Sequence, residues 1–281
     1  MKPLAAAPLP FYLSAAHGER LCLYHAPAAH RPCLGGLVYV APFAEEMNRS
    51  RRMAALQAQA LAQQGVGVLL IDLYGCGDSA GELAEASWAT WRDDIGLAID
   101  WLQQRMHAPV GLWGLRLGAL LALEVARLRA ADLALLLLWN PLADAQAYMT
   151  QFLRLQLAAG LGSACGQAAN SVAALRAQLQ QGQLLEVGGY ELNGALVASI
   201  DGLQATALPP PGLPLHWLEL VRDAALPLAP GSARLAQAWS LTPQTVTGPA
   251  FWSTPEVATC PALIEASCAW VRTTLEHAHG L

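Results

Sequence analysis

The chain has 281 residues, 54% of them hydrophobic and 13% charged, with a net charge of −5. That much apolar material buries a large core and excludes a disordered chain. Arginines cluster only at Arg49, Arg51 and Arg52 and at Arg127 and Arg129, so the basic stripe of a nucleic-acid binder is absent.

At the start, Pro3, Pro8 and Pro10 break up the alanine-rich stretch of MKPLAAAPLPFYLSAA, so no signal sequence is expected. FYLSAA and RLCLYHA read as a hairpin across His17-Gly18-Glu19. CLGGLVYVAPF is an apolar run expected as a buried strand ending near Ala41. Ser50 is expected to cap the helix SRRMAALQAQALAQQG, which Gly65 would end. VGVLLID is the next buried strand and LYGCGDSAGE a glycine-rich loop. From about Ser87 to Arg105, Trp88, Trp91, Ile95, Ile99 and Leu102 fall on one side of an amphipathic helix.

PVGLWG then reads as a strand, LRLGALLALEVARLRAA as a helix and LALLLLWNP as a strand. The apolar run over residues 133–139 is far short of the roughly 20 residues that span a bilayer. Strand–helix alternation with apolar strands predicts an α/β fold around a mostly parallel sheet with helices on both faces. The alternation stops at Pro141. Residues 141–213 show no clear buried strand and are expected as a helical lid inserted between two parts of one core domain, 1–140 and 214–281. The sheet resumes with LPLHWLELV and a strand around SLTPQTVTG, and a last helix runs from about Pro261 to His277.

Six cysteines, Cys22, Cys33, Cys76, Cys165, Cys260 and Cys268, show neither C-x-x-C nor Cys/His metal spacing. They read as buried, reduced thiols in a cytoplasmic protein. No metal and no cofactor is expected.

Three motifs in order carry a resemblance: VYVAPFAEE, the loop IDLYGCGDSAG, and Gly114-Leu115-Arg116-Leu117-Gly118, laid out like a G-x-S-x-G nucleophile elbow. The chain resembles the α/β-hydrolases along nearly its whole length. More narrowly, PFAEEMNRSRRM, GLRLGALLA and GPAFWSTPEV resemble the exosortase A system-associated hydrolases of the hydrolase 2 subgroup. That resemblance implies a bacterial protein linked to exopolysaccharide production and C-terminal protein sorting, with no substrate attached.

The resemblance implies a nucleophile at Arg116, an acid at Asp223, a histidine after the last strand, and oxyanion N–H groups on Phe43 and Leu117. A guanidinium stays protonated and offers no lone pair, so Arg116 cannot attack a carbonyl. Residues 246–262 contain no histidine; His277 and His279 lie in the terminal helix and tail, and His216 early in a strand. Asp223 reads equally as a solvated loop residue. With Arg116 beside N–H groups at a helix start, the site reads as an anion trap. Glu45 and Glu46 follow the third strand at the same sheet edge, and either could instead pair with Arg116. Cys76 and Ser79 border the pocket but have no histidine placed to activate them.

Three functions stay open: binding of a small anionic or acyl ligand without turnover, hydrolysis of an ester or related acyl bond through an unusual nucleophile, and a scaffold for a protein partner in polysaccharide or sorting machinery.

Overall fold

A computed structural model describes residues 7–160 and 171–278. Strands β1 (Leu9–Ala15) and β2 (Gly18–His25) form the hairpin, followed by β3 (Gly35–Val40), helix α1 (Glu45–Ala62), β4 (Val66–Ile71), α2 (Trp88–Met106), β5 (Val110–Leu115), α3 (Leu117–Leu128) and β6 (Leu136–Trp139). After an excursion come β9 (Leu215–Val221), α7 (Pro230–Trp239), β10 (Gln244–Thr247) and α8 (Pro261–Ala278). The sheet has eight strands in the order β1-β2-β4-β3-β5-β6-β9-β10, with β1 and β2 antiparallel and the rest parallel. β3, β5 and β6 are buried at every residue, as strands covered on both faces must be.

One face packs against α2, α3 and α7 and the other against α1 and α8. Ser87 caps α2 by accepting from Thr90 N–H. Ser50 caps nothing: α1 begins at Glu45, and the Ser50 hydroxyl bonds back to Glu46 C=O inside the helix. The helix cap lies six residues earlier than expected, at Ala44, which turns the chain with φ 52°.

Between β6 and β9 the chain leaves the sheet as α4 (Ala145–Gly160), α5 (Val172–Gln180), β7 (Leu185–Val187), β8 (Tyr190–Leu192) and α6 (Gly194–Asp201). Besides helices, the span holds one short, mostly exposed hairpin: β7 and β8 pair antiparallel around Gly188-Gly189, with Val187 and Leu192 buried. Arg176 grips Asp201 through two 2.7 Å bonds, tying α5 to α6. Asn193 caps α6 and donates to Ala84 and Ala86 C=O, anchoring the excursion beside the glycine-rich loop.

Cys22, Cys260 and Cys268 are buried free thiols, whereas Cys33 is exposed, against expectation, in the loop before β3; Cys165 lies outside the described residues. Among the described residues no helix is long and apolar enough to cross a membrane.

Candidate functional site

At the carboxyl edge of the sheet, β5 turns into α3 through a single residue, Arg116, with φ 56° and ψ −117°. A non-glycine residue rarely holds such a backbone unless its surroundings impose it. Two glycines do so here. A Cβ on Gly114 would sit 2.5 Å from Ala119 Cα, and one on Gly118 would sit 2.3 Å and 2.4 Å from the Ala41 and Val40 carbonyl oxygens. The turn is a strained strand–helix elbow whose glycines let three backbone segments touch.

The Arg116 side chain is mostly buried and meets three residues from distant segments, with the charge of a fourth nearby. Its Nε lies 3.4 Å from Glu46 Oε1 on α1, an ion pair with both side chains under a quarter exposed. Its guanidinium carbon sits 5.2 Å from the Trp252 ring centroid and 5.9 Å from that of Tyr148 on α4, within cation–π range. Glu219 on β9 is buried; it accepts from Trp217 Nε1 and the Ser232 hydroxyl, and feels the Arg116 charge.

Burial pushes the Glu46 carboxyl above its ordinary pKa, against the opposing pull of Arg116 and the nearby Tyr148 phenol. Among the described residues no donor meets Glu46 Oε2 in hydrogen-bond geometry. Tyr148 is itself raised well above 10 by burial, with Glu46 adding to it. Arg49 donates to Thr254 C=O, which fastens the loop carrying Trp252 to α1. Phe251 and Trp252 of that loop pack edge to face with each other, and Phe251 does so with Trp139, which meets Trp113 in the same way.

The Phe43 and Leu117 N–H groups have no protein acceptor among the described residues. Both residues line an apolar cavity closed by Met47, Leu73, Cys76, Trp88, Trp91 and Leu121. Its volume is about 20 Å³, close to the space for one water. Phe152 of α4 packs edge-on against Phe43 at 5.2 Å, so the excursion touches a wall residue of this cavity.

The remaining expected residues fall outside the cluster. Glu45 is exposed, paired with Arg49 at 3.2 Å and bonded to Asn48 and Tyr190. Asp223 is exposed in the loop after β9, where it accepts from Ala225 N–H. Burial raises the Cys76 thiol to about 12, far from a ready thiolate. Ser79 donates to Asp72 C=O at 2.6 Å and accepts from Leu21 N–H at 2.9 Å, so it is a turn residue with both roles used. His216 stacks on Trp270 and bonds Gln244. His277 is exposed at the end of α8, where Leu275 covers Gly35 at the opposite sheet edge; His279 is outside the described residues.

Sequence reading missed Tyr148, Glu219 and Trp252. For the last two a signal existed: Trp217 and Glu219 share a strand face by alternation, and Trp252 stands in the loop where a histidine was sought.

With this geometry in hand, residues 25–181, more than half of the chain, match the family described as serine aminopeptidase, S33. The chain belongs to that family, within the α/β-hydrolases. Among solved structures, a soluble variant of the Saccharomyces cerevisiae monoglyceride lipase aligns with a TM-score of 0.64 at 11% identity, covering 99% of this chain and 97% of that one. Est1E from Butyrivibrio proteoclasticus aligns at 0.61 and 14%, covering 97% and 99%. A hydrolase from Agrobacterium vitis aligns at 0.59 and 16%, covering 96% and 100%. At these identities the likeness is one of fold. No curated protein sequence matches the chain significantly.

Proposed function

We propose that this family member binds an anionic or acyl ligand at Arg116 and does not carry out serine-type hydrolysis. One observation carries the reading. Arg116 fills the elbow with a protonated, lone-pair-free side chain held between Glu46 and Trp252, and Trp252 occupies the loop expected to supply the base. The acid expected at Asp223 is replaced at the site by Glu219, whose two oxygens are already bonded.

A ligand carboxylate that displaces Glu46 gains the guanidinium fork and the free Phe43 and Leu117 N–H groups at the start of α3. The cavity is too small for such a ligand as it stands, so residues 141–213 act as a lid that must lift, over a core of 1–140 and 214–281. The GPAFWSTPEV segment that supplies Trp252 is among those shared with the exosortase A system-associated hydrolases, which supports a setting in bacterial exopolysaccharide or protein-sorting pathways. Cys33, exposed, and Cys76, packed against the core, are both unpaired thiols, in keeping with a cytoplasmic compartment. Hydrolysis through Ser79 or Cys76 finds no support in their bonding, and no observation singles out a protein-partner surface.

The test has two arms. A fluorophosphonate should leave every serine unlabelled, and butyrate should bind Arg116→Ala at least about ten-fold more weakly than wild type, the loss expected for one charge-assisted contact. Labelling that vanishes in Ser79→Ala, or butyrate binding indifferent to Arg116, would overturn the reading.

A further inference from the structure

A second cavity lies on the other face of the sheet, between β2, β3, β4 and α1. It measures about 330 Å³, within the range of small-molecule sites and many times the volume beside the elbow. Its walls are apolar: Leu21, Leu23, Tyr39, Ala54, Ala55 and Leu70 are among them. Ala41 and Met47 form a partition shared with the elbow cavity.

The polar groups here are unevenly used. Arg51 holds both oxygens of Asp72 at 3.1 and 3.0 Å, and Asp78 N–H adds a third bond, so the one acid in the wall is paired with a cation and bonded at both oxygens. Arg52, also in the wall, has neither ion pair nor hydrogen bond among the described residues. Among the described residues the buried Tyr39 hydroxyl has no partner, whereas buried hydroxyls are ordinarily bonded. The wall therefore carries a surplus positive charge at its rim and an unsatisfied phenol beside a greasy interior.

We infer that this cavity is a binding site for a small amphipathic carboxylate, its apolar body between β2, β4 and α1 and its charged head on Arg52. The geometry asks for one negative charge, met by an arginine fork, on a body of roughly the size that the smaller ligand pockets accept. The site is separate from Arg116 and stands whether or not the elbow binds anything.

The test uses octanoic acid bearing a diazirine near its methyl end, photolysed with the full-length protein and mapped by mass spectrometry. Crosslinks are expected on peptides containing Leu21, Leu23, Ala55 or Leu70. They should disappear in Ala55→Trp, which fills the space, and fall at least about ten-fold in Arg52→Ala. Thermal melting checks that Ala55→Trp is folded, and Arg52→Ala, a change at an exposed position, decides between the outcomes if it is not. Crosslinks confined to Phe43, Trp88 or Trp91 would assign the carboxylate to the elbow and overturn this site. So would labelling of β2 and β4 that neither variant reduces.

Discussion

Two strand–helix crossings meet at the carboxyl edge of this sheet, and they use the same backbone device. Ala44 (φ 52°, ψ −128°) sits immediately before α1, and Arg116 (φ 56°, ψ −117°) immediately before α3. Neither helix has a side-chain cap, and among the described residues each crossing leaves an N–H group without an acceptor, at Phe43 and Leu117. The side chains differ in sign. The first turn of α1 carries Glu45 and Glu46, which suits the positive end of its dipole. At α3 the residue before the helix is a cation, electrostatically misplaced at the same kind of end. Glu46 bridges the two and so supplies the counter-charge that Arg116 lacks on its own helix. The lesson is that an elbow is a backbone property which survives the loss of its reactive atom, while charge at the elbow must be answered from elsewhere.

The largest effect is expected where the crossings touch. Gly118 faces the Val40 and Ala41 carbonyls, leaving no room for a side chain. Gly118→Val should cost about 3 kcal/mol or more through overpacking against rigid backbone, read as a lowered urea midpoint. A variant as stable as wild type would mean that the two crossings are not locked together.

The crossings were only partly legible from the chain. Gly114 and Gly118 announce a tight turn, and the apolar runs of β3, β5 and β6 announce a parallel sheet, because both signals are local. The early start of α1 was hidden, since Ala44 takes a left-handed backbone that no side-chain code marks, and Ser50 offered a misleading cap. The Gly188-Gly189 hairpin is short and half-exposed, so its strands lack a hydrophobic pattern although the glycine pair was visible. The site itself was least legible. Arg116 and Glu46 could be brought to one edge by topology, but choosing Glu46 over Glu45 depends on which side of the first turn of α1 faces the elbow. Tyr148 and Trp252 reach Arg116 only through tertiary packing, and a search for a missing histidine does not ask what replaced it.

Cutting the bridge from the cationic side gives an intermediate effect. In Arg116→Ala the carboxylate of Glu46 stays buried and loses the partner that favours its charged form. The expected cost is about 2 kcal/mol at neutral pH, below the roughly 3–5 kcal/mol of a fully buried orphaned charge because the side chain is not fully enclosed. It should shrink on acidification as Glu46 takes up a proton, and a pH-independent cost in chemical denaturation would show that packing, not charge, was lost.

Cutting it from the anionic side should do least, and with the opposite sign. Burial holds the folded pKa of Glu46 above its ordinary 4.5. Between those two values the folded state binds more protons than the unfolded one, so wild-type stability falls as pH rises through that window. Glu46→Gln keeps the shape and an acceptor for Arg116 but cannot ionise. It should match wild type below the ordinary glutamate value and exceed it slightly, by roughly 1 kcal/mol or less, above the raised one, since a buried ion pair often breaks even against a neutral substitute. Denaturation curves of the two proteins at acid and neutral pH measure this directly. A Glu46→Gln variant clearly weaker at neutral pH would make the bridge a stabilising element. The expected result instead makes it a positioning device, one that holds Arg116 at little energetic gain and leaves the guanidinium open to a competing anion.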